Sequence, residues 1–176
     1  SCVRCSWYSC WNGIKESNRK RIKKKMMIPN RSRSETSRNS IREQIKNSRD
    51  SLIFPLSNFD LLDAVTRLNI KNFRGVFMRD QLPHKPNNVE TGIINLDKNS
   101  GHGTHWVAYA IDPCGIIYFD SYGLAPPKEF LKYVTGDSIT GNIPIWYSTL
   151  PTQTLTDPPI CGREALAVLD AVSRSA

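Results

Sequence analysis

Residues 101–120 read GHGTHWVAYAIDPCGIIYFD, and this stretch decides the fold that the sequence predicts. A glycine-rich loop is followed by two short apolar runs, and a turn at Asp112 to Gly115 separates them. We expect a β-hairpin whose first strand begins near His105 and whose second strand ends at Asp120. Such a hairpin can present an imidazole and a carboxylate side by side.

The number of residues in the turn decides whether His105 and Asp120 meet. Side chains alternate along a strand, so His105 and Ile111 share one face. With an even loop, Ile111 pairs with Ile116, and Asp120 lies on the histidine's face, diagonal to it at roughly 7 Å. A three-residue loop with Gly115 as a bulge puts the carboxylate on the opposite face. The sequence leaves both registers open.

The charge of the chain is concentrated in its N-terminal third. Residues 1–50 hold 14 lysines and arginines against 4 acidic side chains, whereas residues 51–176 hold 10 against 12. With few apolar residues to bury, residues 1–51 are predicted to be a disordered basic arm. Residues 52–176 are predicted to be one globular domain. The basic run Lys15–Lys25 favours sequence-independent contact with DNA, although a solubilising tail or a nuclear import signal fits it as well.

Composition excludes several classes of protein. No apolar run approaches the roughly 18 residues of a membrane span, and no leader resembles a signal peptide, so we expect an intracellular protein without a membrane partner. The chain has five cysteines, an odd number that does not indicate a disulfide framework. Cys2, Cys5 and Cys10 lie close together but have no nearby histidine, so we predict no metal site.

Helical and strand patterns fill the rest of the domain. We predict a helix that Ser57 or Asn58 caps and that ends near Asn69, with Asp60 three residues after Ser57. A second helix is predicted to follow Pro126-Pro127, to bury Phe130, Leu131 and Val134, and to end at Gly136. The remaining elements are an edge strand at 73–78, a loop at 86–92, a strand at 93–96, an edge strand at 143–148, a polar loop at 149–159 and a buried helix from Cys161 onward.

Cys161 is placed where a thiol can become reactive. The N-terminus of a helix and an adjacent imidazolium both stabilise a thiolate. His105 would hold the proton, Asp120 would orient His105, and the amide of Gln153 with the Cys161 N–H would donate to an oxyanion. Taken alone, these residues fit a packed core histidine, a turn aspartate and an inert buried thiol equally well.

Three motifs occur in a recognisable order: Gly-Thr-His-Trp at 103–106, Tyr-Phe-Asp-Ser-Tyr-Gly-Leu-Ala-Pro-Pro at 118–127, and Cys-Gly at 161–162. In this order the chain resembles the adenovirus-type maturation cysteine proteases, the adenain family, and more closely their relatives in the virus-like transposons called Polintons or Mavericks. Segments 56–60 and 72–80 also resemble the transposon proteins. SUMO-specific proteases share the fold and the same order of His, Asp, Gln and Cys.

The resemblance implies an α+β, papain-like or adenain-like fold, in which a central mixed or antiparallel sheet packs on helices. Position by position, His105 matches the base, Asp120 the acidic member, Cys161 the nucleophile and Gln153 the oxyanion-hole glutamine. Trp106 is expected to pack beneath the site, and His84, His102 and Cys114 match nothing catalytic.

The function implied is that of a cysteine endopeptidase that matures capsid or core precursors of an adenovirus-like element. Such an enzyme acts on polypeptides, requires no cofactor, and is stimulated by DNA and by a short basic peptide. We expect a monomer in the nucleus or the virion.

Two other hypotheses stay open. Residues 163–170 are more generic than the family's helix, and the chain stops soon afterward, which fits a truncated, inactive relic that acts as a basic nucleic-acid-associated structural protein. The third hypothesis is a protease for SUMO or ubiquitin-like modifiers.

Overall fold

The computed structural model describes residues 55–136 and 143–175, which form a five-stranded sheet with helices on both faces. The strands lie in chain order, with antiparallel pairs in the centre and a parallel pair at each edge. This mixed sheet confirms the predicted α+β class. The elements are α1 (Asn58–Leu68), β1 (Phe73–Met78), β2 (Glu90–Asn95), β3 (Trp106–Asp112), β4 (Gly115–Phe119), α2 (Lys128–Thr135), β5 (Ile145–Tyr147) and α3 (Cys161–Ser175).

The predicted arm, residues 1–51, lies outside the described residues, together with its basic run Lys15–Lys25 and with Cys2, Cys5 and Cys10. The domain boundary near residue 52 therefore stays a prediction. Within 55–136 and 143–175, each helix falls short of the length and apolarity that crossing a membrane requires.

The β3–β4 hairpin has the even loop. Ile111 pairs with Ile116 and Asp112 with Gly115, so the loop between the strands has two residues. The Asp112 carboxylate holds the turn, because its Oδ1 accepts hydrogen bonds from the backbone N–H groups of Cys114, at 2.7 Å, and Gly115, at 2.9 Å. The bulged three-residue alternative is wrong. The carboxylate that follows β4 thus lies on the face that the even register predicts.

The two faces of the hairpin bury different cores. On one face, the alanines of β3 pack against α1 and α3, and the small side chains allow the helices to approach the sheet closely. On the other face, the larger side chains of β3 and β4 pack against α2. The first core includes Leu61, Val65, Ala108, Ala110, Ile117, Phe119, Ala165 and Leu169, and the second includes Val107, Tyr109, Ile111, Ile116, Tyr118, Phe130 and Val134.

Helix α1 begins and ends as predicted. Ser57 and Asp60 form a capping box: Asp60 N–H donates to Ser57 Oγ at 3.3 Å, and Ser57 N–H donates to Asp60 Oδ2 at 2.8 Å. This exchange satisfies two donors that the helix itself leaves unpaired. Asn69, in the left-handed conformation with φ of 52°, ends the helix.

The predicted start of β2 is wrong by three residues. The strand begins at Glu90, inside the stretch 86–92 that the sequence pattern indicated as loop. Glu90 is fully buried, which a charged residue tolerates only when it is paired. Its carboxylate accepts hydrogen bonds from the hydroxyls of Tyr109 and Tyr133 and from the N–H of Asn87. A buried hydrogen-bond network therefore replaces the apolar pattern by which strands are recognised.

Helix α2 buries a different residue from the one predicted. Phe130 and Val134 are fully buried, but Leu131 is 39% exposed and Tyr133 takes its place in the core at 5% exposure. Positions 130, 133 and 134 lie on one helical face, whereas 131 is turned away from it. The hydroxyl of Tyr133 is satisfied by Glu90, so this tyrosine can be buried.

The edge strand predicted at 73–78 is confirmed with the same bounds, and the one predicted at 143–148 is shorter, Ile145–Tyr147. Strands β1 and β5 are the two edges of the sheet, and Pro144 directly precedes β5, where its missing N–H costs no ladder hydrogen bond. Helix α3 begins at Cys161 and buries its predicted apolar residues, Leu166, Val168, Leu169 and Val172.

Candidate active site

The histidine of the hairpin is buried at the end of the sheet. His105 directly precedes β3 and is 7% exposed. Its backbone carbonyl accepts a hydrogen bond from Leu96 N–H at 2.8 Å, which ties it to the residue after β2. This hydrogen bond holds the backbone of His105, from which the imidazole extends, against the end of β2.

Asp120 meets His105 as the even register requires. The carboxylate directly follows β4, is 1% exposed, and its Oδ1 lies 2.8 Å from His105 Nε2. The same oxygen accepts the backbone N–H of Tyr122 at 2.8 Å. Because the carboxylate binds Nε2, Nδ1 is the ring nitrogen that remains for a second partner.

Cys161 is the first residue of α3 and is 6% exposed. Its thiol interacts with His105 and with the backbone of Trp106 and Gly162, and these interactions lower the pKa of the thiol. The first bonds to the helix come from the N–H groups of Arg163 and Glu164, which both donate to the carbonyl of residue 160. The N–H groups at 161 and 162 have no intrahelical acceptor and are available to the sulfur and its surroundings.

The electrostatics of the site favour a charged pair. Burial alone would lower the pKa of His105, but hydrogen bonds to Asp120 and Cys161 and the charges of both groups raise it from 6.5 to about 9. Burial would raise the pKa of the Cys161 thiol, but the hydrogen bond with His105, the backbone hydrogen bonds and the imidazolium charge lower it below 9.0. Opposite shifts of this kind favour thiolate beside imidazolium.

Gln153 is held firmly beside the site. It is 3% exposed, its Oε1 accepts the hydroxyl of Ser121 at 2.9 Å, and its Nε2 donates to the carbonyl of Pro158 at 3.2 Å. The backbone N–H of Gln153 also donates to Ser121 O at 3.0 Å. An amide nitrogen carries two hydrogens, so one N–H remains beyond the Pro158 bond. The predicted role of Gln153 at an oxyanion stays a prediction.

Trp106 packs where the sequence placed it. Its Nε1 donates to the carbonyl of Leu56 at 2.8 Å, and its ring packs against the core between α1 and α3. A Cβ at Gly162 would lie 3.2 Å from Trp106 Cδ1 and 3.3 Å from Leu56 Cβ, which is tight contact on two sides. The glycine after the cysteine thus allows the start of α3 to approach the indole.

A groove of about 660 Å³ reaches Cys161 from one side. Its walls come from residues 55–58, from the end of β1 and from the loop at 101–104, and Trp106 also lines it. Among the described residues that line it, none is an aspartate, glutamate, lysine or arginine. His102, which matched nothing catalytic, lines this groove and is not part of the His105–Asp120 pair.

Tyr122 is a site residue that the sequence did not indicate. Its ring stacks on the imidazole of His105, with centroids 4.4 Å apart. Its place in the motif at 118–127, two residues after Asp120, is the signal by which it could have been found. No metal centre accompanies these groups: the described residues contain no cluster of three or more His, Cys, Asp or Glu side chains that could hold an ion.

Comparison with known proteins identifies the fold. No protein-family model and no curated protein matches the chain. The crystal structure of the ASFV pS273R protease is similar, with a TM-score of 0.53 and 18% identity over 93% of this chain and 80% of that chain. A second structure, of Se-Met ASFV pS273R protease, covers 48% of this chain and 36% of that chain at 26% identity and a TM-score of 0.35. The first likeness shows the papain-like fold of the SUMO-protease type, whereas membership of the adenain or Polinton proteins stays a prediction.

Proposed function

We propose that the chain is a cysteine endopeptidase in which Cys161 is the nucleophile, His105 the base and Asp120 the group that orients the base. One observation carries the proposal: the imidazole of His105 lies 2.8 Å from a buried carboxylate, and it is coupled to a thiol at a helix N-terminus so that each of the two groups shifts the pKa of the other. This is the nucleophile, base and orienter arrangement of covalent catalysis. The fold shared with a viral protease supports it.

The reaction follows from the charged pair. The Cys161 thiolate attacks the carbonyl carbon of the scissile peptide bond, and the carbonyl electrons move to its oxygen. As the C–N bond breaks, the imidazolium of His105 gives its proton to the leaving amine, and a thioester remains. His105 then takes a proton from water, whose oxygen attacks the thioester, and the thiol is regenerated. Asp120 keeps the ring in the tautomer that both steps require.

The oxyanion of the tetrahedral intermediate needs donors that are already in place. We propose that these are the backbone N–H of Cys161, which α3 leaves without an intrahelical acceptor, and the amide of Gln153. Ser121 and Pro158 orient that amide through its Oε1 and Nε2. A donor held in this way does not reorganise as charge develops.

For the substrate we propose precursor proteins of the capsid or core of an adenovirus-like element. The motifs at 103–106, 118–127 and 161–162 support this assignment, and so does the fold, which is that of a viral protease. The groove beside Cys161 suits a peptide segment without charged side chains, because burying a charge beside uncharged walls is costly. The basic residues 1–50 would contact DNA, and the protein would act in the nucleus or the virion.

The proposal is tested with a peptide vinyl sulfone, a probe that reacts with an activated thiol. We expect it to label the full chain at Cys161, not to label Cys161→Ala there, and to label His105→Ala much more slowly. His84→Ala is the matched control, because His84 is exposed and far from the pair in sequence. Absence of labelling in the parent chain would support the inactive relic instead.

The substrate class needs a second experiment. The resemblance to the adenovirus-type proteases implies cleavage after glycine-rich sequences, so the full chain is incubated with peptides of the Gly-X-Gly type and, separately, with a SUMO-type precursor. We expect cleavage of the peptides, and loss of cleavage in Cys161→Ala. Cleavage of the SUMO-type precursor alone would assign the chain to the modifier proteases and contradict the proposed substrate.

A further inference from the structure

Tyr122 contacts both members of the histidine–carboxylate pair. Its ring centroid lies 4.4 Å from that of His105, and the two planes are inclined by 25°, which is a stacked arrangement. Its backbone N–H donates to Asp120 Oδ1 at 2.8 Å, the oxygen that also binds His105 Nε2. The side chain thus covers a face of the imidazole, and the main chain holds the carboxylate.

The loop that carries Tyr122 is fixed on both sides. Gly123 N–H donates to Asp120 O at 3.0 Å, which closes a turn around the tyrosine. Ser121, fully buried, accepts through its carbonyl the N–H groups of Thr152 at 2.8 Å and of Gln153 at 3.0 Å. The ring is therefore positioned by a hydrogen-bonded backbone rather than by chance packing of an exposed side chain.

The stack adds what the hydrogen bond between His105 and Asp120 does not supply. Asp120 binds the edge of the ring, while the torsion that rotates the imidazole about its own bond has only broad preferences. A flat partner on the face opposes that rotation. The face of an aromatic ring also carries negative charge density, so it favours a cation such as imidazolium over the neutral ring.

We propose that Tyr122 is a positioning residue of this site: its ring holds the imidazole of His105 in the plane that serves both Asp120 and Cys161, and it stabilises the protonated form of that imidazole. The inference rests on the proposed function, since the protonated ring matters catalytically only if His105 serves Cys161. The titratable groups that act on His105 are Asp120, which follows β4, and Cys161, at the start of α3. Tyr122 acts on the face that neither of them reaches.

The test measures the protonation of His105 directly. The full chain has three histidines, so NMR can follow each imidazole through a pH titration, and a Cys161→Ala background removes the coupled thiol. In Tyr122→Leu, which keeps the backbone N–H to Asp120, we expect the pKa of His105 to fall by about half a unit to one unit. Tyr122→Phe keeps the ring and leaves the pKa close to that of the parent. His84 and His102 serve as internal controls.

A pKa of His105 that is the same in the Leu, Phe and parent chains would overturn the proposal. If Tyr122→Leu does not fold, Tyr122→Trp is the deciding variant. The indole face is the strongest aromatic partner of a cation, so the pKa of His105 should be higher in Tyr122→Trp than in Tyr122→Phe. A pKa of His105 in Tyr122→Trp that is equal to or lower than the one in Tyr122→Phe would also overturn the proposal. The titration needs no substrate, so it fails or succeeds separately from the protease assignment. In the thiol-containing chain, Tyr122→Leu should lower kcat at alkaline pH with KM little changed.

Discussion

Replacing Asp120 with asparagine tests why the site holds a charged pair. The asparagine has nearly the same shape, and its oxygen can still accept the N–H of Tyr122. It lacks the negative charge that lies 2.8 Å from His105 Nε2. The side chains of His105 and Asp120 are 8% and 0% exposed, so solvent replaces little of the lost interaction.

The size of the effect follows from the pKa of His105, which is raised from 6.5 to about 9. A raised pKa means that imidazolium is present below about pH 9 and is lost as the pH rises through that value. Asp120 is the largest of the contributions that raise it. If it supplies only half of the increase, Asp120→Asn lowers the alkaline limit of reactivity by more than one pH unit, or about 1.4 kcal/mol or more. Because less of His105 is then protonated, the Cys161 thiolate is less stabilised and the pKa of the thiol rises. The acid limit therefore moves to higher pH, and the active pH range narrows from both sides.

Two assays are needed: alkylation of Cys161 by iodoacetamide requires only the thiolate, so its pH dependence reports the acid limit, whereas the pH dependence of kcat/KM for a cleaved peptide reports the alkaline limit, because the leaving amine takes the imidazolium proton. Mass spectrometry of the peptide that contains Cys161 separates it from the other cysteines of the chain. The matched control is Asp63→Asn, which removes an exposed aspartate paired with Arg67 on α1. Equal pH limits in Asp120→Asn and the parent chain would refute the assigned electrostatics.

Three further outcomes are expected. Ser57→Ala removes half of the capping box of α1 and should lower the free energy of unfolding by about 1 kcal/mol in a denaturant titration, whereas an unchanged value would contradict the cap. Gly92→Ala places a Cβ within 2.5 Å of the buried ring of Tyr109, and the same titration should show a loss of about 1–3 kcal/mol; wild-type stability would mean that the ring can move away. In a peptide library, substrates with lysine or glutamate in the groove beside Cys161 should have lower kcat/KM than those with alanine or asparagine, and equal rates would show that substrates avoid the groove.

Local sequence patterns predicted most of the helices and strands, because capping, strand alternation and helical spacing are set by interactions between residues close together in the sequence. The capping box at Ser57, the alternation along β3 and the apolar spacing of α3 each depend on residues a few positions apart. The hairpin pattern also predicts, for an even loop, that His105 and Asp120 share a face of the sheet. What it did not decide was the length of the turn, because two- and three-residue loops fit the same residues at 112–115.

Interactions between distant segments account for what was missed. Glu90 is buried in β2 because Tyr109 and Tyr133, far along the chain, donate hydrogen bonds to it. In α2, Tyr133 is buried in place of Leu131, and its hydroxyl donates to the carboxylate of Glu90. Tyr122 stacks on a histidine that lies on another strand end, and neighbouring residues give no indication of such a contact.

The two-residue loop between β3 and β4 has a consequence for how such chains can diverge. It lies about seven residues along the strands from the site, or roughly 20 Å, and none of its atoms takes part in catalysis. Inserting or deleting one residue there would nevertheless turn Asp120 to the other side of the sheet unless a bulge absorbed the change. Active descendants are therefore expected to vary this turn in steps of two residues, or to gain a bulge with each odd step. Surface loops ordinarily tolerate insertions and deletions, but the length of this loop is constrained by the positions of His105 and Asp120 at the other end of the hairpin.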